Sequence, residues 1–237
     1  NASNYTITPA SASINTKAGF SIVKYSGNST TNATVPHGLN SKVEFSIVKV
    51  LNDSQAWSVY HKDAGGGLIL NLTNAAGSSY DHSASGDNLV SFSSGWDGVN
   101  GNYNYIMYCW HSVAGYSAFG SYTGNGSADG PFIYTGFKPA FVMIFEYSFH
   151  TRTYSSWFIF DNARDPNNAM NKVLYANLSV GEGYRGDGST ASTASYMDFL
   201  SNGFKPRGGQ NHNANDDSHI YIAFAEMPFK YAATNAR

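Results

Sequence analysis

Along most of the chain, apolar and polar residues alternate in short runs that end in clusters of Gly, Asn, Ser and Asp. Aromatic and β-branched side chains supply most of the apolar positions. The clearest runs span residues 20–25, 43–50, 57–60, 68–72, 89–92 and 103–110. Because side chains on a strand point to alternate faces, this pattern predicts strands joined by turns.

Helices are not expected from this pattern. The best candidate window, 163–178, contains Pro166 and the polar pair Asn167-Asn168, which allow at most a short helical turn. Many short strands at close spacing, without helices between them, favour a sandwich or barrel over an α/β arrangement. The sequence therefore predicts an all-β fold.

The chain contains an internal repeat whose matching segments follow one another in the same order. The segment "YSGN" at 25–28 returns as "YTGN" at 122–125. The other matched pairs are 37–48 with 134–144, 57–63 with 157–163, 70–73 with 176–179, and 105–110 with 219–224. The extra residues of the second copy fall in Gly-, Ser- and Asn-rich stretches, where loops absorb insertions at little cost.

This repeat predicts two tandem, similar antiparallel β-sandwich subdomains, of jelly-roll or immunoglobulin-like type, that arose by internal duplication. The first is expected over residues 19–115 and the second over residues 116–237. Residues 1–18 are small and polar with little apolar periodicity, which indicates an extended arm or linker. A single larger sandwich, to which each copy gives half of the strands, is the alternative architecture.

Charged residues are scarce, at 13% of the chain, about half of the average for soluble proteins. The 14 basic and 16 acidic side chains form no basic stripe, so nucleic acid is not an expected partner. The apolar runs are far shorter than the roughly 20 residues that a membrane-spanning helix needs. Insertion into a membrane is therefore not expected either.

No pattern typical of catalysis stands out in the chain. The sequence lacks a G-x-S-x-G nucleophile elbow. Its four glutamates occur in no arrangement typical of paired-acid glycoside hydrolysis: Glu44, Glu146, Glu182 and Glu226. We therefore expect a protein that is not an enzyme and that needs no cofactor.

Asp161 and Asp165, in the segment "DNARDPNN", are the best candidates for a metal site, because Ca²⁺ binds clustered carboxylate and amide oxygens in loops. A turn is the stronger interpretation. Asx side chains next to a proline commonly hydrogen-bond their own backbone, and Arg164 is placed to pair with either carboxylate. No metal is therefore expected.

The chain has 17 Tyr, 15 Phe and 4 Trp, which is more than two small cores require. Several fall in predicted loops, where an exposed ring can stack on the apolar face of a sugar while Asn, Asp and Ser bind its hydroxyl groups. The candidate ligand-binding residues are Tyr80, Trp96, Tyr103, Tyr154 and Tyr184. An equally weighted interpretation is that these rings close the sandwich ends or form an intersubunit contact.

The most distinctive segments of the repeat are "GYSAFGSYTGNG" at 115–126, "WFIFDNARDP" at 157–166 and "YIAFAEMPFKY" at 221–231. With them, the chain resembles a family of duplicated β modules in virion proteins of tailed bacteriophages, especially marine and cyanobacterial phages. The likeness covers about residues 19–237. The chain departs from the usual pattern at 41–43, where Ser-Lys-Val stands in place of a segment with proline, and at 110–112, where Phe-Ala-Glu is common.

The resemblance implies a structural or adhesive part of the virion, in a tail fibre or similar appendage or on the capsid surface, and it brings no catalytic residues. The expected partners are other virion subunits, further copies of the chain in a homo-oligomer such as a trimer, and a host cell-surface glycan or protein. One alternative is a capsid decoration or head-fibre protein with a purely architectural role. Another is a secreted glycan-binding protein outside any virion.

Overall fold

The computed structural model describes residues 5–72, 77, 82–148, 156–183, 196–209 and 211–226. Antiparallel strands dominate these residues, and the one helical element among them is a short 3-10 helix at Asn211–Asn213. In this part of the chain, no helix has the length and apolar character that crossing a membrane requires. The expected all-β class is confirmed. The chain forms two compact units: unit 1 comprises Asn1–Asn71 and Ala76–Ser112, and unit 2 comprises Leu72–Ala75 and Val113–Arg237.

Unit 1 contains strands β1 (Ser11–Asn15), β2 (Phe20–Ser26), β3 (Ala33–Pro36), β4 (Phe45–Val50), β5 (Ser58–His61), β6 (Leu68–Ile69), β7 (His82–Ser85), β8 (Leu89–Phe92) and β9 (Asn104–Trp110). They form a six-stranded sheet in the order β1-β2-β9-β4-β5-β6 and a three-stranded sheet in the order β3-β8-β7. Val23 and Tyr25 of the large sheet share one buried core with Val90 and Phe92 of the small sheet. The two sheets therefore pack face to face as a sandwich.

Unit 2 contains strands β10 (Ser117–Thr123), β11 (Ile133–Tyr134), β12 (Pro139–Ser148), β13 (Trp157–Asp161), β14 (Leu174–Tyr175), β15 (Tyr196–Leu200), β16 (Gly203–Arg207) and β17 (Ser218–Ala225). A five-stranded sheet has the order β10-β17-β12-β13-β14, and a three-stranded sheet has the order β11-β16-β15. Ile144 and Tyr221 of the large sheet share a second buried core with Met197 and Phe204 of the small sheet. Unit 2 is therefore also a sandwich with a core of its own.

Unit 2 repeats the strand order of unit 1 without β1. The large sheets correspond as β2-β9-β4-β5-β6 and β10-β17-β12-β13-β14, and the small sheets as β3-β8-β7 and β11-β16-β15. The strand register agrees as well, because Phe45 lies opposite Trp110 in unit 1 and Phe141 lies opposite Phe224 in unit 2. These are residues that the sequence repeat aligns. Order and register are those that an internal duplication predicts.

Strand β1 lies inside the segment 1–18, for which the sequence predicts an extended arm. It forms the edge of the large sheet of unit 1 and pairs with β2 from Ser11↔Lys24 to Asn15↔Phe20. All five of its side chains are exposed. Because none is buried, the apolar alternation that marks a half-buried strand is missing here, and only the backbone pairing reveals the strand.

The Tyr-x-Gly-Asn motif forms a hydrogen-bonded clamp in unit 1. The Tyr25 hydroxyl donates to the Val99 carbonyl, and the Asn28 N–H donates to Oδ1 of Asn100 at 3.1 Å. The side-chain amide of Asn100 donates in turn to the Thr30 carbonyl at 2.8 Å. The buried Asn100 side chain therefore satisfies polar backbone groups that have little access to water.

Unit 2 builds the same clamp from the second copy of the motif. The Tyr122 hydroxyl donates to the His212 carbonyl, and the Asn125 N–H donates to Oδ1 of Asn213 at 3.2 Å. The Asn213 amide donates to the Ser127 carbonyl at 2.9 Å. Each sandwich therefore has its own clamp, which explains why the motif occurs twice in the chain.

The glycine of the motif is a steric requirement. A Cβ atom at Gly27 would lie 2.0 Å from the carbonyl oxygen of Gly101, and one at Gly124 would lie 2.1 Å from the carbonyl oxygen of Ala214. Both distances are far below van der Waals contact. Any side chain at either position would push the facing loop away.

Replacing a clamp asparagine by alanine removes both the acceptor for a backbone N–H and the donor to a carbonyl. We expect Asn100→Ala and Asn213→Ala each to lower the free energy of unfolding by about 1–3 kcal/mol. The exposed residue Asn102 provides the control, since Asn102→Ala should leave the unfolding free energy unchanged. Urea denaturation followed by circular dichroism measures this. Unchanged midpoints in both clamp variants would contradict the assigned role.

Candidate functional site

The structure places two of the five predicted ligand-binding residues in one loop, between β8 and β9 of unit 1. Trp96 and Tyr103 are half-buried and pack against the unit 1 core. The indole of Trp96 covers Gly98, where a Cβ atom would lie 2.2 Å from the ring. The carboxylates of Asp53 and Asp97 raise the pKa of Tyr103. Part of each ring therefore serves the fold. Outside the described residues lie the other three predicted positions, Tyr80, Tyr154 and Tyr184.

The carboxylates of Asp161 and Asp165 are engaged within the turn that follows β13. Asp161 accepts hydrogen bonds from Nε of Arg164 at 2.6 Å and from its backbone N–H at 2.9 Å. Burial alone would raise the pKa of Asp161, but the hydrogen bonds from Arg164 outweigh it and hold that pKa below its ordinary value. Asp165 accepts from the N–H groups of Asn171 and Lys172 at 2.7 and 3.1 Å. In the described part of the chain, no group of three or more His, Cys, Asp or Glu residues is arranged to hold a metal ion.

Two aromatic side chains that the sequence interpretation did not select are exposed on unit 2. Phe132 is 48% exposed and Tyr134 is 67% exposed, whereas Ile133 between them is buried in the core. The two rings share the outer face of the small sheet because residues i and i+2 of a strand point the same way. The sequence carries a signal for this surface: an aromatic residue stands on each side of Ile133, a core position.

Gly203, on the neighbouring strand, leaves space for the ring of Phe132. It pairs with Tyr134 across β11 and β16, and a Cβ atom at Gly203 would lie 3.0 Å from a ring carbon of Phe132. The ring of Phe132 therefore rests against the backbone of the neighbouring strand. We call Phe132, Tyr134 and Gly203 the aromatic face.

Four charged residues form a network beside the aromatic face. The Asp129 carboxylate lies 2.7 Å from Nζ of Lys205 and 2.8 Å from Nη1 of Arg207, and Arg207 also contacts Asp198 at 2.7 Å. The hydrogen bond from Lys205 and its charge lower the pKa of Asp129, and the bond to Asp198 raises the pKa of Arg207. Two cations and two anions balance one another. The network therefore offers donors and acceptors without net charge.

The aromatic face is particular to unit 2. By repeat and register, its three residues correspond to Thr34, Pro36 and Leu89 of unit 1. In unit 1 the corresponding edge strand of the small sheet, β3, is covered by the N-terminal segment. The N–H groups of Thr6 and Ile7 donate to the Thr34 carbonyl at 3.2 and 3.0 Å. The same backbone thus presents different chemistry on its two copies.

Unit 1 contains a small pocket of about 290 Å³ near β5 and β7. Its lining includes Tyr60, Lys62, Gly66, His82, Ser83 and Ser93. The Lys62 ammonium is paired with Glu44 at 2.8 Å. Lys62 therefore brings no unbalanced positive charge to the pocket.

The buried imidazole of His82 is fixed by two serine hydroxyls. Nε2 lies 2.9 Å from Oγ of Ser46, and Nδ1 lies 3.1 Å from Oγ of Ser58. Burial lowers the pKa of His82 to about 3, so the ring is neutral near pH 7. Both nitrogens of the ring are therefore held by hydroxyl groups within unit 1. The matching core positions of unit 2 are the apolar residues Val142, Phe158 and Met197.

Comparison with protein families gives one match. A family model described as a domain of unknown function, DUF7483, matches residues 2–228. The comparisons with curated proteins and with solved structures return no match.

The buried neutral His82 predicts a stability that decreases in acid. An unfolded histidine takes up a proton near pH 6.5, whereas folded His82 does so only near its pKa of about 3. As the pH falls from about 6.5 towards 3, the unfolded state binds a proton that the folded state does not, so the free energy of unfolding decreases. Between pH 7 and pH 5, we expect this residue to cost about 2 kcal/mol of unfolding free energy. Urea unfolding followed by tryptophan fluorescence measures it.

The control variant combines His82→Met with Ser46→Val, the residue types that unit 2 carries at these positions. Its stability should depend less steeply on pH. An equal loss of stability in the wild type and the variant would show that other groups cause the acid sensitivity.

Proposed function

We propose that this chain, which belongs to the DUF7483 family, is a structural bacteriophage virion protein: a module of a tail fibre or similar appendage that binds a host cell-surface glycan without catalysing a reaction. The observation that carries the proposal is the aromatic face of unit 2. Two large rings that stand exposed on one small sheet are typical of a binding surface, since burying them in the core would stabilise the fold more.

The chemistry of the aromatic face suits a sugar. The rings of Phe132 and Tyr134 offer apolar surfaces for the C–H face of a pyranose. Lys205 and Arg207 can donate hydrogen bonds to hydroxyl groups, and Asp129, whose side chain is 77% exposed, can accept them. An aromatic platform beside charged donors and acceptors therefore supports recognition of a polyhydroxylated ligand over a purely apolar one.

The assignment to a virion appendage rests on the sequence resemblance, which is most specific over residues 115–145. Low charge supports the same setting, because hydrogen bonds between uncharged groups depend little on salt, whereas ion pairs are screened at high ionic strength. Weak contacts to single sugars become useful when many copies bind one surface.

The test uses the full chain and an immobilised panel of bacterial lipopolysaccharides and capsular polysaccharides. We expect the wild type to bind at least one host polysaccharide, and Phe132→Ala and Tyr134→Ala each to weaken this binding roughly threefold to tenfold. Leu51→Ala is the matched control, since Leu51 is 49% exposed on unit 1 and should not affect binding.

Other outcomes separate the alternatives. Binding to purified phage heads with no binding to polysaccharide would overturn glycan recognition and favour a capsid decoration or head-fibre role. Release of reducing ends from a polysaccharide would overturn the absence of catalysis. Immunogold electron microscopy on assembled particles tests the appendage location directly.

A further inference from the structure

The pocket of unit 1 lies where this unit carries smaller side chains than unit 2. Gly65 and Gly66, which line it, follow the end of β5 as Asp165 and Pro166 follow the end of β13. Apart from its two neighbours in the chain, a Cβ atom at Gly65 would have no heavy atom of the described residues within 4 Å. The two glycines therefore leave one wall of the pocket without side chains.

The small sheets show the same difference on the other side of the pocket. By strand register, Ser83 on β7 corresponds to Asp198 on β15, and Ser93, directly after β8, corresponds to Arg207 on β16. In unit 2 these two side chains form an ion pair at 2.7 Å. In unit 1 the two serines line the pocket instead. The pocket therefore lies where the second copy of the same backbone carries large charged side chains.

The ionisable groups of the pocket lining favour a neutral ligand. The Lys62 ammonium is paired with the Glu44 carboxylate at 2.8 Å. Burial lowers the pKa of His82 and raises the pKa of Tyr60, so both rings are neutral near pH 7. Because a charge that leaves water needs a partner of opposite sign, these groups suit neither a phosphate nor a carboxylate.

The pocket also combines an aromatic ring with hydrogen-bonding groups. Ser83 and Ser93 bring hydroxyl groups, which can both donate and accept hydrogen bonds. The Lys62 ammonium has further N–H donors beside the one that Glu44 accepts. The half-buried ring of Tyr60 offers an apolar surface. A sugar presents both kinds of complementary surface, namely a C–H face and hydroxyl groups.

The volume of the pocket, about 290 Å³, limits the size of the ligand. It lies at the lower end of the range for small-molecule pockets, roughly 300–1,000 Å³. A single sugar residue suits this volume, whereas a longer chain would leave most of its length outside.

We infer that the unit 1 pocket binds one neutral sugar residue, either as a free monosaccharide or as the end of a glycan chain. The ring of Tyr60 contacts the C–H face of the sugar, and Ser83, Ser93 and Lys62 hydrogen-bond its hydroxyl groups. The inference goes beyond the proposed function and does not rest on it, because the pocket shares no residue with the aromatic face.

The test adds neutral methyl glycosides of glucose, galactose, mannose and N-acetylglucosamine to the full chain. Binding is followed by saturation-transfer NMR and isothermal titration calorimetry. We expect at least one of them to bind with a Kd of about 1 mM. The methyl glycosides of glucuronic acid and glucosamine should bind roughly tenfold more weakly, because their charges find no unpaired partner on Lys62 or Glu44.

A pocket-filling variant gives unit 1 the residues of unit 2, Ser83→Asp with Ser93→Arg. The new ion pair should occupy the pocket and raise the Kd of the bound glycoside roughly tenfold or more. Ser11→Asp with Ser13→Arg is the matched control, since it makes the same two changes on β1, which three strands separate from β5. It should leave the Kd unchanged. All four positions are exposed, so circular dichroism should show the native fold in both variants.

A disaccharide that carries the bound residue at its non-reducing end identifies the source of the sugar. Equal affinity for the disaccharide and the methyl glycoside assigns the pocket to the ends of glycan chains. Binding of the methyl glycoside alone assigns it to free sugars. Both results support the pocket as the site.

Absence of binding by every neutral glycoside up to about 50 mM would overturn the inference. So would tighter binding of the charged glycosides, or an equal loss of affinity in the pocket-filling variant and its control. Loss of binding in Phe132→Ala and Tyr134→Ala, with wild-type affinity in the pocket-filling variant, would place the sugar on the aromatic face and overturn the pocket as its site.

Discussion

Close approach of two backbone segments at the Tyr-x-Gly-Asn motif is the constraint on which each sandwich depends. At Gly27 and Gly124 the facing carbonyl oxygens leave no room for a side chain, and water has little access to the polar groups around them. A buried asparagine, Asn100 or Asn213, therefore takes the place of solvent. In unit 1 the motif holds the end of β2 against the loop between β8 and β9. It therefore fixes the connection that leads from the small sheet back to the large sheet.

Much of the fold could be predicted from the sequence, because alternation and repetition are direct consequences of strand geometry. The repeat even aligns the residues that pair across strands, as at Phe45 and Phe141. β1 could not be predicted, since a strand with every side chain exposed has no apolar period. The exposed aromatic residues were missed as well, although the spacing of Phe132 and Tyr134 around Ile133 was a signal for them. Trp96 is typical of an exposed loop residue in the sequence, yet its ring covers Gly98. Phe132 stands in an apolar run, yet its side chain is exposed.

The two units show what one backbone tolerates. In the core, His82 with its two serine partners occupies positions where unit 2 has Val142, Phe158 and Met197, so a satisfied polar group and a set of apolar side chains serve the same fold. On the surface, an edge covered by the N-terminal segment in unit 1 corresponds to an edge with exposed rings in unit 2. The fold therefore leaves the chemistry of its small sheet free to change from one copy to the other.

Gly203 limits how the exposed face of the small sheet in unit 2 can change. A methyl group at that position would lie 2.1 Å from the carbonyl oxygen of Ile133 and would displace the ring of Phe132. The position of the Phe132 ring thus depends on a neighbouring residue that has no side chain of its own. A substitution of Gly203 would therefore change the exposed surface of the small sheet while the side chains of Phe132 and Tyr134 kept their identity.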